Sequence, residues 1–332
     1  MSTFDKLTKR NQFFEARDSE LDALIDQKTG RVHKKLVEAI SCRLCNWKKY
    51  TEVFTKNGFS FVRCNRCSLV YVNPQMKEDA VVRFYNEDAV SNKKALDFLS
   101  SGKQQEVDKE LYDDVFGAIK SCIPRGKILD VGCSFGLFLH EAKKRGYEVQ
   151  GLELNERAAK VAREKMGVPV EAKLLNECKF PKESFDVVAM FGVIEHLPRP
   201  VPVIREVFRI LRPGGIFLGR CPNIMGLVCM ILHEQARTVT GRAHVSYFSE
   251  KTLTYLLKDK VGFSKVELQT FVSGKDSLLN YFQFLDPFGN ETTEFLPSAF
   301  QAFLRDGAKV KRLERTINEL GLGYKFKFIA TK

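Results

Sequence analysis

Apolar residues fall into two rhythms along this 332-residue chain. From 126 to 218, short unbroken apolar runs alternate with stretches of helical spacing. Ile128, Leu129 and Val131 make one such run, as suits a strand buried on both faces of a parallel sheet. Gly132 and Gly136 follow as a turn in which backbone can approach a ligand closely. Leu137 to Ala142 then has a helical pattern, which Gly146 ends. Tyr147 to Glu153 reads as a second strand. Asn155 is the N-cap of a helix from Glu156 to Met166, which Gly167 closes. Val168 to Val170 is a third strand and Phe185 to Phe191 a fourth. Val203, Ile204, Val207, Phe208, Ile210 and Leu211 stripe a helix. Arg212-Pro213-Gly214-Gly215 stops it before a fifth strand, Ile216 to Leu218. This alternation predicts an α/β body with an open, mostly parallel sheet.

The flanks read differently. Residues 1–41 are charged, and Leu21, Leu24, Ile25 and then Leu36, Val37, Ile40 predict two helices broken near Thr29-Gly30. Residues 75–122 are helical and charged, including Glu78 to Tyr85 and Glu106 to Lys120, with loops at Ser91-Asn92 and Ser100-Ser101-Gly102. Leu111, Val115, Ala118 and Ile119 give a face that covers the first strand. Past the fifth strand come an apolar helix at 224–232, a helix Glu250 to Lys258 capped by Ser249, a sixth strand Lys265 to Val272, and a last strand Gly323 to Ala330. Pro287, Gly289 and Pro297 break the Phe-rich stretch between those two strands into short helices and loops. The expected organisation is N-terminal helices at 1–41, a small module at 42–74, a helical cap at 75–123, and the α/β body at 124–332 with a helical insertion at 273–322.

The small module carries the most specific spacing. Cys42-Arg-Leu-Cys45 and Cys64-Asn-Arg-Cys67 are separated by eighteen residues. Two such pairs form knuckles whose four sulfurs close on one tetrahedral zinc. Four protein ligands leave no open position, so the zinc is structural. Phe59 to Arg63 and Leu69 to Val72 read as strands of a zinc ribbon that Asn73-Pro74 ends. The other cysteines, Cys122, Cys133, Cys178, Cys221 and Cys229, read as buried thiols.

A net charge of +12 changes the picture only by favouring anionic partners, whether nucleic acid, an anionic membrane surface, or a phosphorylated or carboxylated substrate. The start of the chain is polar, which predicts no signal peptide. The longest apolar run, Ile224 to Leu232, is far short of the roughly 20 residues of a membrane span. Cysteine usage without a secretory signal points to a reducing, cytoplasmic setting.

The glycine spacing bears on the ligand. A dinucleotide fingerprint needs glycines at 134 and 137, which are Ser and Leu, and no Gly-Lys-Ser/Thr follows for a P-loop. Glu153 sits at the carboxyl end of strand two, where a carboxylate can accept hydrogen bonds from both ribose hydroxyls of an adenosine. A carboxylate favoured by a helix N-terminus is the plainer alternative. His196 follows strand four at the ligand-facing edge, beside Glu195, and His244 lies in a later polar loop.

Taken in order, Ile128–Gly136, Gly151-Leu152-Glu153, Ser184 to Val188, Glu195-His196-Leu197, Leu211 to Gly215 and His244 to Leu253 resemble the class I S-adenosylmethionine-dependent methyltransferases. The cysteine module with Asn73-Pro74 and Phe84-Tyr85 resembles their zinc-ribbon subgroup, whose members methylate sugars, polysaccharides and natural products. The resemblance does not reach 1–41 or 273–322. It implies a Rossmann-like seven-stranded methyltransferase sheet with an N-terminal zinc ribbon and helical cap. It implies S-adenosylmethionine held by Tyr85, Asp130, Gly132, Cys133, Ser134, Gly136, Glu153, Leu154, Asn176 and Phe191. Ser134 replaces a common glycine and is expected to keep φ below zero; Asn176 stands where an acidic residue usually holds the adenine. Catalytic roles fall to His196, His244 and Glu195, because an oxygen, nitrogen or acidic carbon acceptor must lose a proton. The expected acceptor is a small molecule, a sugar or an anionic or carrier-linked precursor. An RNA substrate, suggested by the charge and by Arg43, Lys48, Lys49, Arg63 and Arg66, is one alternative. A non-catalytic cofactor-binding scaffold is the other.

Overall fold

The computed structural model describes residues 8–77, 80–81, 90–272 and 297–332. The first helix, α1 (Arg10–Asp22), is followed by a hairpin of β1 (Ile25–Asp26) and β2 (Arg31–Val32). The second helix expected in 1–41 is therefore absent. Asp26 Oδ1 accepts from the backbone N–H groups of Lys28 (2.9 Å) and Thr29 (3.3 Å), an Asx turn that reverses the chain. Leu36 and Val37 then pack against a core containing Phe59, Phe61 and Val72, while β3 (Val37–Glu38) pairs antiparallel with residues 75–76.

The cysteine module is a sheet of β4 (Tyr50–Lys56), β5 (Phe59–Cys64) and β6 (Val70–Val72), followed by β7 (Gln75–Met76). β4 was not anticipated, because it is a mostly exposed edge strand in which only Phe54 and Lys56 are half-buried, too little for a clear alternation. Its turn was legible: Asn57 and Gly58 have φ of 49° and 76°, the hairpin geometry that Asn-Gly favours. Ser91-Asn92, expected as a loop, lies in the first turn of α2 (Val90–Leu99). Polar residues are at home there, and the N–H and hydroxyl of Ser91 both donate to Glu20 (2.9 and 2.5 Å). Glu78 to Tyr85 lies almost entirely outside the described residues, as does 273–296 of the expected insertion. α3 (Gly102–Cys122), capped by Ser101, leads into the body.

The body is a seven-stranded sheet. β8 (Lys127–Val131), α4 (Leu137–Lys144), β9 (Glu148–Leu152), α5 (Glu156–Lys165) and β10 (Val170–Glu171) come first. β11 (Phe185–Phe191), α6 (Pro200–Ile210) and β12 (Leu211–Pro222) follow. After α7 (Leu227–Leu232), β13 (Ser246–Tyr247) and α8 (Glu250–Thr254) come β14 (Lys265–Phe271), α9 (Ser298–Arg305), α10 (Gly307–Glu319) and β15 (Lys325–Thr331). The order is β10-β9-β8-β11-β12-β15-β14, with β15 antiparallel to both neighbours and the other pairs parallel. β12 runs well past the three residues expected. Gly219 continues it because any Cβ there would lie 2.1 Å from Met190 O. Alternate residues face opposite layers: Ile128, Val187 and Ile216 pack with Phe116, Ile119 and Phe138, while Leu129, Val188 and Phe217 pack with Ile204, Val207 and Phe263. β13 belongs to neither layer. It adds a fourth strand to the cysteine module beside β6.

One core strand carries an acid. Asp130, 2% exposed, is pushed up to about 8 by burial and then by the charge of Glu153, with Arg220 opposing. An unfolded aspartate titrates near 4, so the folded chain binds this proton more tightly. Stability contributed here therefore falls as pH rises between about 4 and about 8, and levels off above that. In Asp130→Asn nothing titrates at this position. In the cofactor-free protein, the thermal stability of Asp130→Asn relative to wild type should improve steadily from about pH 5 to about pH 8 and then hold. Parallel melting curves across that range would show that the fold leaves Asp130 at ease.

Candidate active site

The carboxyl ends of β8, β9 and β11 meet at one edge of the sheet. The turn after β8 is pinned to β9 by the N–H groups of Gly132 and Cys133, both donating to Leu152 O (2.7 and 3.0 Å). Gly132 and Gly136 have φ of 77° and 80°, and on the side where a Cβ would stand the space is filled by protein. A Cβ on Gly132 would meet Val193 at 2.5 Å, and one on Gly136 would meet Val168 at 2.7 Å. Ser134 departs from expectation, with φ of 51°. The left-handed turn aims its N–H at Glu153 Oε2 (2.9 Å), and Glu153 Oε1 accepts from Asn155 N–H (2.8 Å). Those two bonds are what the strain at Ser134 accompanies. Each carboxylate oxygen has further lone-pair capacity, so Glu153 can still accept from ribose hydroxyls. Burial raises its pKa, and the backbone N–H groups of Asn155, Ser134 and Leu154 offset part of that rise.

These residues open on a cavity of about 970 Å³. Asp130, Gly132, Cys133, Ser134, Glu153, Leu154, Asn176 and Phe191 all line it, as do Glu195, His196 and His244. Gly136 does not: it starts α4 behind the wall. Tyr85 lies outside the described residues. Sequence reasoning missed Arg220 and Tyr112. The Arg220 guanidinium lies 4.8 Å from the Phe191 ring centre and 5.4 Å from that of Tyr112, and it is the cation that opposes the upward shift of Asp130. A charged residue inside the apolar run Ile216 to Cys221 was the available signal. Among the spare cysteines, Cys122 is exposed and Cys178 only half-buried, contrary to expectation; Cys122 falls at the end of α3, past its buried face.

Also on the cavity, a single 3-10 turn, Ile194–His196, presents Glu195 and His196. The loop before β13 brings His244 to them, its ring 4.7 Å from that of His196 and edge-on at 84°. His244 Nδ1 donates to Thr238 O at 2.7 Å, which leaves Nε2 with its lone pair. Burial holds His196 down to about 4. Burial and then the neighbouring His196 hold His244 well below the ordinary range. Burial pushes Glu195 up to about 8, with its own backbone N–H and Lys325 opposing.

The four ribbon cysteines also converge. Cys42 and Cys67 sulfurs are 3.5 Å apart, as are those of Cys45 and Cys64, and all four lie within 4.8 Å of one another. A tetrahedral zinc with bonds of about 2.3 Å needs sulfurs about 3.8 Å apart, so the donor set fits. The two knuckles repeat one geometry: Asn46 and Ser68 are left-handed and donate to Cys42 O (2.8 Å) and Cys64 O (3.0 Å). The ribbon also buttresses the cavity. Val72 N–H donates to Val245 O (3.1 Å), one residue from His244. The Tyr247 hydroxyl, beside Phe61 at 5.4 Å between ring centres, donates to His244 O (2.8 Å).

Residues 129–219 match the model of a methyltransferase domain family. The ubiquinone biosynthesis O-methyltransferase of Pseudomonas fluorescens (strain SBW25) is 37% identical over 95 residues, 27% of this chain and 41% of that protein. The protein of the same name from Paramagnetospirillum magneticum is 35% identical over 100 residues, 29% of this chain and 40% of that one. This chain thus spans about two fifths of the length of these curated relatives. Among solved structures, phosphoethanolamine N-methyltransferase 2 of Haemonchus contortus superposes with a TM-score of 0.49 at 16% identity, covering 85% of this chain and 70% of that one. A methyltransferase from Archaeoglobus fulgidus superposes with a TM-score of 0.47 at 20% identity, covering 69% and 94%. The likeness to methyltransferases thus rests on the domain match over residues 129–219.

Proposed function

We propose that this protein transfers a methyl group from S-adenosylmethionine to an oxygen of a small-molecule acceptor. The observation that carries the reading is the Ser134–Glu153 contact in a cavity that Glu195, His196 and His244 also line. Glu153 would accept from the ribose hydroxyls and Asn176 would face the adenine. When bound, the cofactor supplies a methyl already made electrophilic by its sulfonium, so the protein's work is alignment and exclusion of water. The Glu195–His196–His244 end would hold the acceptor hydroxyl and dispose of its proton. The cavity volume is within the range of small-molecule sites, which favours a small acceptor over a nucleic acid. The two curated relatives are named for O-methyl transfer in ubiquinone biosynthesis, which favours oxygen over nitrogen or carbon. The four ribbon cysteines would hold a structural zinc that keeps β6 in place against β13.

Glu153→Ala removes an acceptor for two hydroxyls. Hydrogen bonds to a charged group are worth about 1.5–3 kcal/mol each, so losing one or both should weaken S-adenosylmethionine binding by about ten-fold or more. Calorimetric titration of folded wild-type protein reads this directly, and the absence of any heat of binding would end the proposal. The ribbon gives a second expectation. Cys67→Ser should release zinc and loosen the His244 loop through β6 and β13. Methyl transfer should then fall by about ten-fold or more, as loss of an orienting shell does, while cofactor affinity, set by Glu153 and the turn after β8, stays within about threefold. Unchanged turnover in a zinc-free variant would detach the ribbon from the site.

A further inference from the structure

Glu195, His196 and His244 converge more tightly than an acceptor-binding pocket requires. One oxygen of the carboxylate and one nitrogen of each imidazole lie within 4.8 Å of one another. Nδ1 of His244 is committed to Thr238 O at 2.7 Å, with the Thr238 hydroxyl at 3.2 Å, and His196 is likewise held by a hydrogen bond with the Ala243 backbone. That is how a metal-ligating histidine is usually held: a backbone carbonyl fixes the tautomer and turns the other lone pair to the ion. The two rings meet edge-on at 84°, so their nitrogens can reach a common point without the rings clashing. Glu195 is 4% exposed, and its Oε2 has no hydrogen-bond partner. A buried carboxyl oxygen in that condition is open to a partner that the protein itself does not supply. All three residues border the cavity, so an ion held by them keeps coordination positions open on that side.

Two imidazoles and one carboxylate on one side of an open site form the facial arrangement that binds divalent transition metals. Ligand atoms about 2.0–2.2 Å from a shared ion stand about 3–4 Å apart, and the present spacing of at most 4.8 Å lies close to that. We propose that Glu195, His196 and His244 form a binding site for a first-row divalent cation, separate from the four-cysteine cluster. Lys325 and Arg17 act electrostatically on His244, and Lys325 on Glu195 as well. An ion added to these charges makes this end of the cavity strongly cationic. The acceptor atom it suits is an oxygen anion, and its role in holding that oxygen beside the methyl group rests on the methyl-transfer reading. The site itself does not rest on that reading.

The test is metal stoichiometry of the full chain. Metal-stripped protein is titrated with Co2+, followed by absorption, and metal content after zinc reconstitution is measured by mass spectrometry. Two ions per chain are expected. One shows the near-ultraviolet charge-transfer band of thiolate ligation; the second adds weak visible bands with no thiolate contribution. His244→Ala and Glu195→Gln should each lose the second ion and keep the first, while His140→Ala, on α4 away from the cluster, keeps both. Circular dichroism and calorimetric titration with S-adenosylmethionine run beside each variant. A wild type that takes up only the thiolate-bound ion overturns the proposal, as does a second ion retained in both variants. A second ion present without cofactor binding would sustain this site and sink the methyl-transfer reading instead.

Discussion

Parallel pairing of β8 between β9 and β11 is the constraint that the rest obeys. Parallel strands point their carboxyl ends the same way, so Asp130, Glu153 and the turn carrying Glu195 arrive at one edge without any contact specifying it. Local hydrogen bonds then convert that coarse placement into a site. Leu152 O captures both N–H groups that open the first turn, and Ser134 takes a left-handed conformation that directs its N–H to Glu153. The glycines on either side leave room for Val193 and Val168. Their service is to let the turn pack tightly on its own domain.

The cysteine module is joined to the body by shared structure. β13 belongs by sequence to the loop that bears His244, yet it completes the ribbon sheet beside β6. Phe59 of the ribbon fills the space beside Gly241, where a Cβ would come within 2.6 Å of the ring. His244 is therefore positioned from two sides: Thr238 fixes its ring, and the ribbon fixes its backbone through Val72 and Tyr247. A loop of this kind has little core of its own to order it. Borrowing a sheet edge supplies the order, and four thiolates on one ion would make that edge rigid.

The body was legible because β8, β11 and β12 carry apolar runs set between glycine turns and helical stripes, while β14 and β15 alternate and β10 shares only Val170 with the strand expected at 168–170. The N-terminal flank was not, because its elements are two residues long and are held by tertiary contacts rather than by period. Leu36 and Val37 have helical spacing with Ile40, but the Asx turn at Asp26 and the pull of the ribbon core outweigh it. In the site, Glu153, Glu195 and His196 were legible from their place at strand ends. Arg220 and Lys325 were harder, since one interrupts an apolar strand and the other approaches from the far end of the chain. Ser134 shows the limit of residue typing: serine resists positive φ, yet the turn takes that conformation and its backbone N–H meets Glu153.

The electrostatics of the cavity complete the argument. Asp130, Glu153 and Glu195 are all raised by burial, and the charge of Glu153 bears on Asp130. Arg220 is the one cation that moves Asp130, and its guanidinium is also engaged by the faces of Phe191 and Tyr112. Desolvated carboxylates gathered this way disfavour the empty, ionised site and favour whatever brings positive charge into it. Under the methyl-transfer reading, the ligand entering at the Glu153 end is a sulfonium cation before reaction and a neutral thioether after it. The carboxylates that gain from its arrival lose that gain once the methyl has left. The same field that draws the donor in thus weakens the hold on the product, with no moving part required.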